Sequence, residues 1–200
     1  GFKRITLAVA GLALVLSSSL AHAQKKYDTG ADDKEIKIGG ISPYSGPASA
    51  YGAIGKAIGA YFDKVNAEGG INGRKIKYIA LDDGYNPAKT VEQARKLVEE
   101  EEVLFVFNTL GTPPNSAIHK YMNQKKVPQL FVATGATKWG DPKNFPWTMG
   151  WQPNYQSEAK VFAALGLTEE ETVGQAHLVD WIELVVDSIE TITLLAEAMM

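Results

Sequence analysis

The sequence predicts an α/β fold in which a parallel sheet is flanked by helices on both faces, followed by an acidic helical tail. Three observations carry this expectation. Short strand patterns at 36–41, 75–81, 103–107 and 127–133 are separated by segments with helical periodicity. A β-α-β-α-β-α-β order needs crossover connections, and these pair strands in parallel. The third strand, Val103-Leu104-Phe105-Val106-Phe107, is wholly apolar, as expected where both faces of a sheet are covered.

The elements follow in order. Residues 36–41 form the first strand, and 42–49 are a loop rich in Ser, Pro and Gly. The next helix spans 53–67, with Ile54, Ile58, Tyr61, Phe62 and Val65 on one face. Gly69, Gly70 and Gly73 supply the positive-φ positions of a helix stop and turn. Residues 75–81 alternate polar and apolar into Asp82-Asp83. Asn86-Pro87 opens the second helix as cap and first helical residue. Val91, Ala94, Leu97 and Val98 form its buried stripe, and the acidic run 99–102 closes it and is expected to fray or face water. Thr112-Pro113 repeats the cap-plus-proline signal, for a helix running to about Gln124.

The 200-residue chain has ordinary globular composition, 45% apolar and 22% charged, with a net charge of -3 that offers no basic field for nucleic acid. Without cysteine it can make no disulfide or thiolate metal site. His22, His119 and His177 have no metal-ligand spacing, so no metal site and no cofactor are expected. The first 23 residues read as a cleavable export signal. Lys3 and Arg4 precede an apolar run at 5–16, too short to span a bilayer, and Ala21-His22-Ala23 fits the cleavage pattern. Residues 24–35 read as a flexible leader, 36–160 as the ligand-binding lobe and 161–200 as a helical tail. The tail has eight acidic residues and no Lys or Arg.

In parallel sheets of this type the binding crevice lies beyond the carboxyl ends of the strands. This rule selects the loops 42–52, 108–115 and 134–141. Free amides there, and a helix beginning at Thr112, would suit an anionic group such as a carboxylate. Catalytic motifs fail on spacing. Gly52-Ala53-Ile54-Gly55-Lys56-Ala57 is not a phosphate loop, and Gly40-Ile41-Ser42-Pro43-Tyr44 lacks the last glycine of a nucleophile elbow. Ser157-Glu158-Ala159-Lys160 stands without the motifs that accompany a catalytic Ser-x-x-Lys. Asp82 and Asp83 point to opposite faces, so they terminate a strand and bond its loop rather than forming an acid/base pair.

Four segments carry a family likeness. They are Ile38-Gly39-Gly40-Ile41-Ser42-Pro43-Tyr44-Ser45-Gly46-Pro47, Val65-Asn66-Ala67-Glu68-Gly69-Gly70-Ile71-Asn72-Gly73, Asp82-Asp83-Gly84-Tyr85-Asn86-Pro87 and Val127-Pro128-Gln129-Leu130-Phe131. Over roughly 35–160 the chain resembles the substrate-binding proteins of branched-chain amino acid ABC transporters, of the type I periplasmic binding protein family. The resemblance implies a two-lobed, non-enzymatic, periplasmic protein. It would trap a branched-chain or aromatic amino acid, or a related small carboxylate, and deliver it as a monomer to the transporter's membrane subunits.

Carried over by position, the ligand's carboxylate would meet Leu110-Gly111-Thr112 and the Ala133-to-Thr137 loop, and Tyr51 would cover it. Gly111 stands where the family often has serine, so Thr112 or the Gly111 amide is expected to substitute. Whether Thr134 or Thr137 takes the family threonine's role stays open. Trp139, Trp147 and Trp151 are either packing or walls for an aromatic ligand. The family pattern fades near Lys160, which leads to the expectation of a first lobe alone. The alternatives are a ligand-sensing receptor domain and a folded fragment with impaired binding.

Overall fold

The computed structural model describes residues 27–165. Its sheet has five parallel strands in the order β2-β1-β3-β4-β5. They are β1 (Glu35–Ser42), β2 (Lys75–Asp82), β3 (Phe105–Phe107), β4 (Gln129–Val132) and β5 (Thr148–Gly150). The connecting helices are α1 (Gly52–Ala67), α2 (Pro87–Arg95) and α3 (Thr112–Lys125), and α4 (Tyr155–Leu165) follows β5. The α/β class with a parallel sheet stands as expected. From β1 the chain winds one way to β2 and the other way to β3, β4 and β5. The order therefore reverses between β1 and β3, the place where open parallel sheets of this type bind ligands beyond the carboxyl ends of their strands.

Side-chain alternation along the strands divides the core in two. Ile36 and Ile38 of β1, Ile76 of β2 and Phe107 of β3 pack with Ile58 and Phe62 of α1. Ile41 of β1 and Val106 of β3 face the other way, onto Ala94, Leu97, Ile118 and Met122 of the second and third helical segments. Phe107 joins the aromatic series on the α1 side, with ring centroids 6.2 Å from Phe62 and 5.5 Å from Phe131. Burying each such side chain contributes about 1.5–3 kcal/mol.

Local chemistry sets the element ends. Asn86 caps α2 by accepting from the amides of Ala88 and Lys89 at 2.9 and 3.3 Å. At the end of α1, Asn66 reaches the start of β2. It donates to the Ile76 carbonyl and accepts from the Ile76 amide, both at 2.7 Å. The glycine-rich turn beyond it, with φ of +116°, +76° and +80° at Gly69, Gly70 and Gly73, brings the chain back for that contact.

Several expectations need correction. Thr112 is the first residue of α3, not its cap: Gly111 is the cap, and no side chain caps the helix. The acidic run mostly faces water, as expected, but it does so from a regular turn. A π-helical turn, Lys96–Glu100, extends α2, and Glu99 accepts from the Tyr121 hydroxyl and Lys125 at 3.0 and 2.9 Å. A lysine at the end of α3 therefore answers the charge that opposes the α2 dipole. β5 has no counterpart in the expected elements, because a three-residue strand shows no period. Residues 28–34 of the expected leader are fastened to the lobe: the Gly30 carbonyl accepts from Lys37 at 2.7 Å, and Ala31 bridges Ile36. The expected boundary at 160 falls inside α4. The export signal, His22, His177 and the tail beyond 165 lie outside the described residues.

Candidate ligand-binding site

The carboxyl ends of β3 and β4 are sewn together by main chain. The Gly111 amide donates to the Ala133 carbonyl at 3.1 Å, and the Ala133 amide donates to the Thr109 carbonyl at 3.0 Å. Leu110 and Ala133 are buried at 6% and 3% exposure and form a parallel bridge. These residues make the floor of the candidate site. Of the two groups expected to substitute for the family serine, Thr112 or the Gly111 amide, the amide is already committed to Ala133. The start of α3 is also poor in donors. Pro113 and Pro114 have no N–H, and the Asn115 amide returns to the Gly111 carbonyl at 3.1 Å. Of the first four helical residues only Thr112 has an amide without a partner among the described residues, which limits the anion-binding capacity of a helix N-terminus.

Hydroxyl groups, which were expected beside the amides, cluster at this end of the strands. The hydroxyls of Thr112 and Thr134 are hydrogen-bonded to one another. Thr134 Oγ1 also bonds the Tyr155 hydroxyl at 3.0 Å and accepts from the Ala136 amide at 3.4 Å. Thr134 is 3% exposed and sits at the centre of this chain. Thr137 is exposed at the start of a 3-10 turn, Thr137–Gly140, and its hydroxyl has no partner among the described residues. The two threonines are thus different: Thr134 is built into the floor, and Thr137 is free at the rim.

Three tyrosines gather near here: Tyr155 bonds Thr134, and Tyr85 has both Tyr155 and Tyr51 as neighbours. Tyr51 ends the turn before α1, Tyr85 follows β2 and Tyr155 opens α4, with exposures of 40%, 37% and 53%. Tyr85 lies against Gly111 and Tyr155 against Gly135. Burial pushes the Tyr85 phenol up, and the neighbouring Tyr155 and Tyr51 push it further. Tyr85 and Tyr155 were missed in the sequence reading. No local sequence pattern marks them, and only the structure shows that Tyr85 has a φ of +62°, unusual for an aromatic residue.

Asp82 holds Tyr85's loop against the first loop. Its carboxylate accepts from the amides of Tyr44, Ser45 and Gly84 at 2.9, 3.1 and 2.9 Å, from the Ser45 hydroxyl at 2.5 Å and from Lys89 at 3.0 Å. Asp83 turns inward, accepting from the Tyr85 amide at 2.9 Å and the Thr90 hydroxyl at 2.7 Å. Both carboxylates serve loop bonding, as their adjacency on a strand end requires.

A cavity of about 340 Å³ lies beside Thr134, between the Thr137–Gly140 turn and the segment 150–154. Trp139, Trp151, Gln152 and Asn154 are among its walls. The tryptophans therefore divide. Trp139 and Trp151 border the cavity, while Trp147 is 37% exposed and stands apart from it. Trp139 also packs edge-on against His119 at 4.9 Å, and Trp151 against Phe131 at 6.0 Å, so both serve packing as well.

A family model described as periplasmic binding protein matches residues 35–171. The chain belongs to the periplasmic binding protein family. Among curated relatives, it is 34% identical over 125 residues to a Leu/Ile/Val-binding protein homolog of Brucella melitensis, covering 62% of this chain and 33% of the relative. It is 30% identical over 89 residues to an amino acid binding protein of Pseudomonas aeruginosa, covering 42% and 24%. A possible leucine/isoleucine/valine-binding protein from Rhodopirellula baltica superposes with a TM-score of 0.59 at 30% identity, over 68% of this chain and 37% of that one. A branched-chain amino acid transporter substrate-binding protein from Streptococcus pneumoniae, in complex with isoleucine, gives 0.51 at 27%, over 57% and 32%. This periplasmic binding protein chain spans about a quarter to a third of the length of the curated relatives named here. Those relatives bear the names of binding proteins, not of enzymes.

Proposed function

We propose that this chain supplies a ligand-binding lobe of an extracytoplasmic solute-binding protein, the component that delivers a small molecule to the membrane subunits of an ABC transporter. It binds without chemical conversion and acts as a monomer in the periplasm, reached through the export signal at 1–23. The ligand is a small carboxylate: a branched-chain or aromatic amino acid, or a related acid.

The observation that carries this reading is the hydroxyl chain Thr112–Thr134–Tyr155 at the carboxyl ends of β3 and β4. Hydroxyls can turn their protons toward an anion, and each such bond to a charged acceptor contributes about 1.5–3 kcal/mol. Thr137 and the Thr112 amide extend the donor set, and Tyr51 and Tyr85 cover it. Leu110, Gly111 and Ala133 support the anchor from beneath. The names of the Brucella relative and of the isoleucine-bound Streptococcus neighbour favour a branched-chain amino acid. The cavity walled by Trp139 and Trp151 favours a larger, aromatic side group.

Titration calorimetry of the full chain with L-leucine, L-isoleucine, L-phenylalanine and benzoate tests the reading. One carboxylate class should bind, and Thr112→Val with Thr134→Val should abolish its heat. If all four leave the chain without heat, or if the double variant binds as tightly as the parent, the proposed anchor is wrong.

A further inference from the structure

A line of buried polar side chains runs from the ligand anchor to the edge of the sheet. Asn115 in the first turn of α3 is fully buried, at 0% exposure. Its Nδ2 donates to the Thr109 carbonyl at 2.7 Å and to the Gly111 carbonyl at 2.8 Å. Its Oδ1 accepts from Gln129 Nε2 of β4 at 2.7 Å. The Thr148 hydroxyl of β5 points at Gln129 Oε1 at 3.4 Å and accepts from Asn123 Nδ2 at 2.8 Å. Asn123 Oδ1 in turn accepts from the Trp147 amide at 3.0 Å.

The donor directions are mutually consistent. With both Asn115 amide hydrogens directed at carbonyls, only its oxygen can meet Gln129. Gln129 must then present its nitrogen, which leaves its oxygen for Thr148. Burying two carboxamides in a parallel-sheet core is costly unless every group is bonded. A hydrophobic pair would fill the same space without that requirement, so packing alone does not account for them. What the amides hold is the turn that delivers Thr112, where Asn108 and Gly111 have φ of +56° and +94°.

We propose that Asn115 is the positioning residue of the ligand anchor, and that the relay Asn115–Gln129–Thr148 couples the Thr109–Gly111 turn to β5, the strand that leads to Tyr155. The inference rests on the proposed ligand reading for its purpose, but not for its geometry. The two ends of the hydroxyl chain, Thr112 and Tyr155, are carried by the two ends of this relay. A change at Thr148, remote in sequence from the β3 loop, should therefore reach that loop.

Amide hydrogen exchange of the full chain tests the coupling, with variants Asn115→Asp, Thr148→Val and Thr148→Ser. In Thr148→Val the protection of the Gly111 and Asn115 amides should fall roughly tenfold or more, the scale expected for buried groups left unpaired. The β1–β2 ladder amides should be unchanged, and Thr148→Ser, which keeps the hydroxyl, should match the parent. Asn115→Asp should show the same selective loss.

Loss confined to β5 in Thr148→Val, or an equal loss at every amide, would overturn the relay. If Asn115→Asp does not fold, the two Thr148 variants decide. As a functional arm, L-leucine affinity should weaken in Thr148→Val and hold in Thr148→Ser; equal affinity in both would overturn the link to the anchor. A parent chain that gives no leucine response counts against the proposed ligand class, while the exchange pattern still decides the relay.

Discussion

The ring of Tyr85 fills the space that Gly111 leaves by having no side chain. A Cβ on Gly111 would stand 2.4 Å from Tyr85 Cε2, closer than any real contact permits. Gly111 also has φ of +94°, where an L side chain is strained by roughly 1–2 kcal/mol. The glycine is thus needed both for the turn and for the tyrosine above it.

Gly111→Ala should therefore destabilise the chain by about 1–2 kcal/mol from backbone strain, with a smaller addition from displacing the exposed Tyr85 ring. Tyr85→Ala in the Gly111→Ala background should recover part of the loss, because it removes the clash and not the strain. A urea-melt double-mutant cycle measures the coupling. Additive effects would show that the two residues do not share this space.

Asp82 should make the first two loops acid-sensitive. Burial raises its pKa, but the Ser45 hydroxyl, Lys89 and the Gly84 and Ser45 amides outweigh that and hold it well below the usual carboxylate range. Because the folded pKa is the lower one, the stabilisation is complete above the unfolded value of about 3.9 and is lost as pH falls below it. Asp82→Asn should lower stability at pH 7 by roughly 1–3 kcal/mol. It should also flatten the acid limb of the stability curve below about pH 4. Thermal melts between pH 7 and pH 3 check both.

His119 should add a second pH dependence nearer neutrality. Its ring stacks on Phe145 at 3.8 Å, and Nε2 is buried with no hydrogen-bond partner among the described residues. Burial, then the nearby Lys138, lowers its pKa, while Asp141 opposes the shift. The unfolded chain takes up the proton first, so stability is complete above about pH 6.5 and falls as pH drops toward the folded pKa. His119→Phe keeps an aromatic ring there and should remove this part of the decline. A variant that melts with the parent's pH profile between 7 and 5 would assign the decline elsewhere.

Much of the fold was legible because its signals are local. Asn86-Pro87 announced α2 through a cap that reaches only two and three residues ahead. The Gly69-to-Gly73 turn and the alternation through 75–81 were equally readable. Thr112 misled because its hydroxyl, close enough in sequence to cap the helix, is taken by Thr134, 22 residues away. The partners of Glu99 stayed hidden for the same reason, since Tyr121 and Lys125 lie at the far end of another helix. β5 stayed hidden because its pairing rests on main-chain groups, such as the Gln129 amide donating to the Trp147 carbonyl at 2.7 Å, which carry no side-chain period.

The sequence by itself determined the alternation of strands and helices through the fourth strand, and the parallel sheet. Those follow from periodicity and from glycine, proline and asparagine chemistry acting over a few residues. Only the tertiary structure decided which groups meet there. It committed the Gly111 amide to Ala133, joined Thr112, Thr134 and Tyr155 through their hydroxyls, and set Tyr85 over a glycine. The physical reason is that these partners come from different crossovers of the sheet. Their contact depends on strand order and register, which no local pattern encodes.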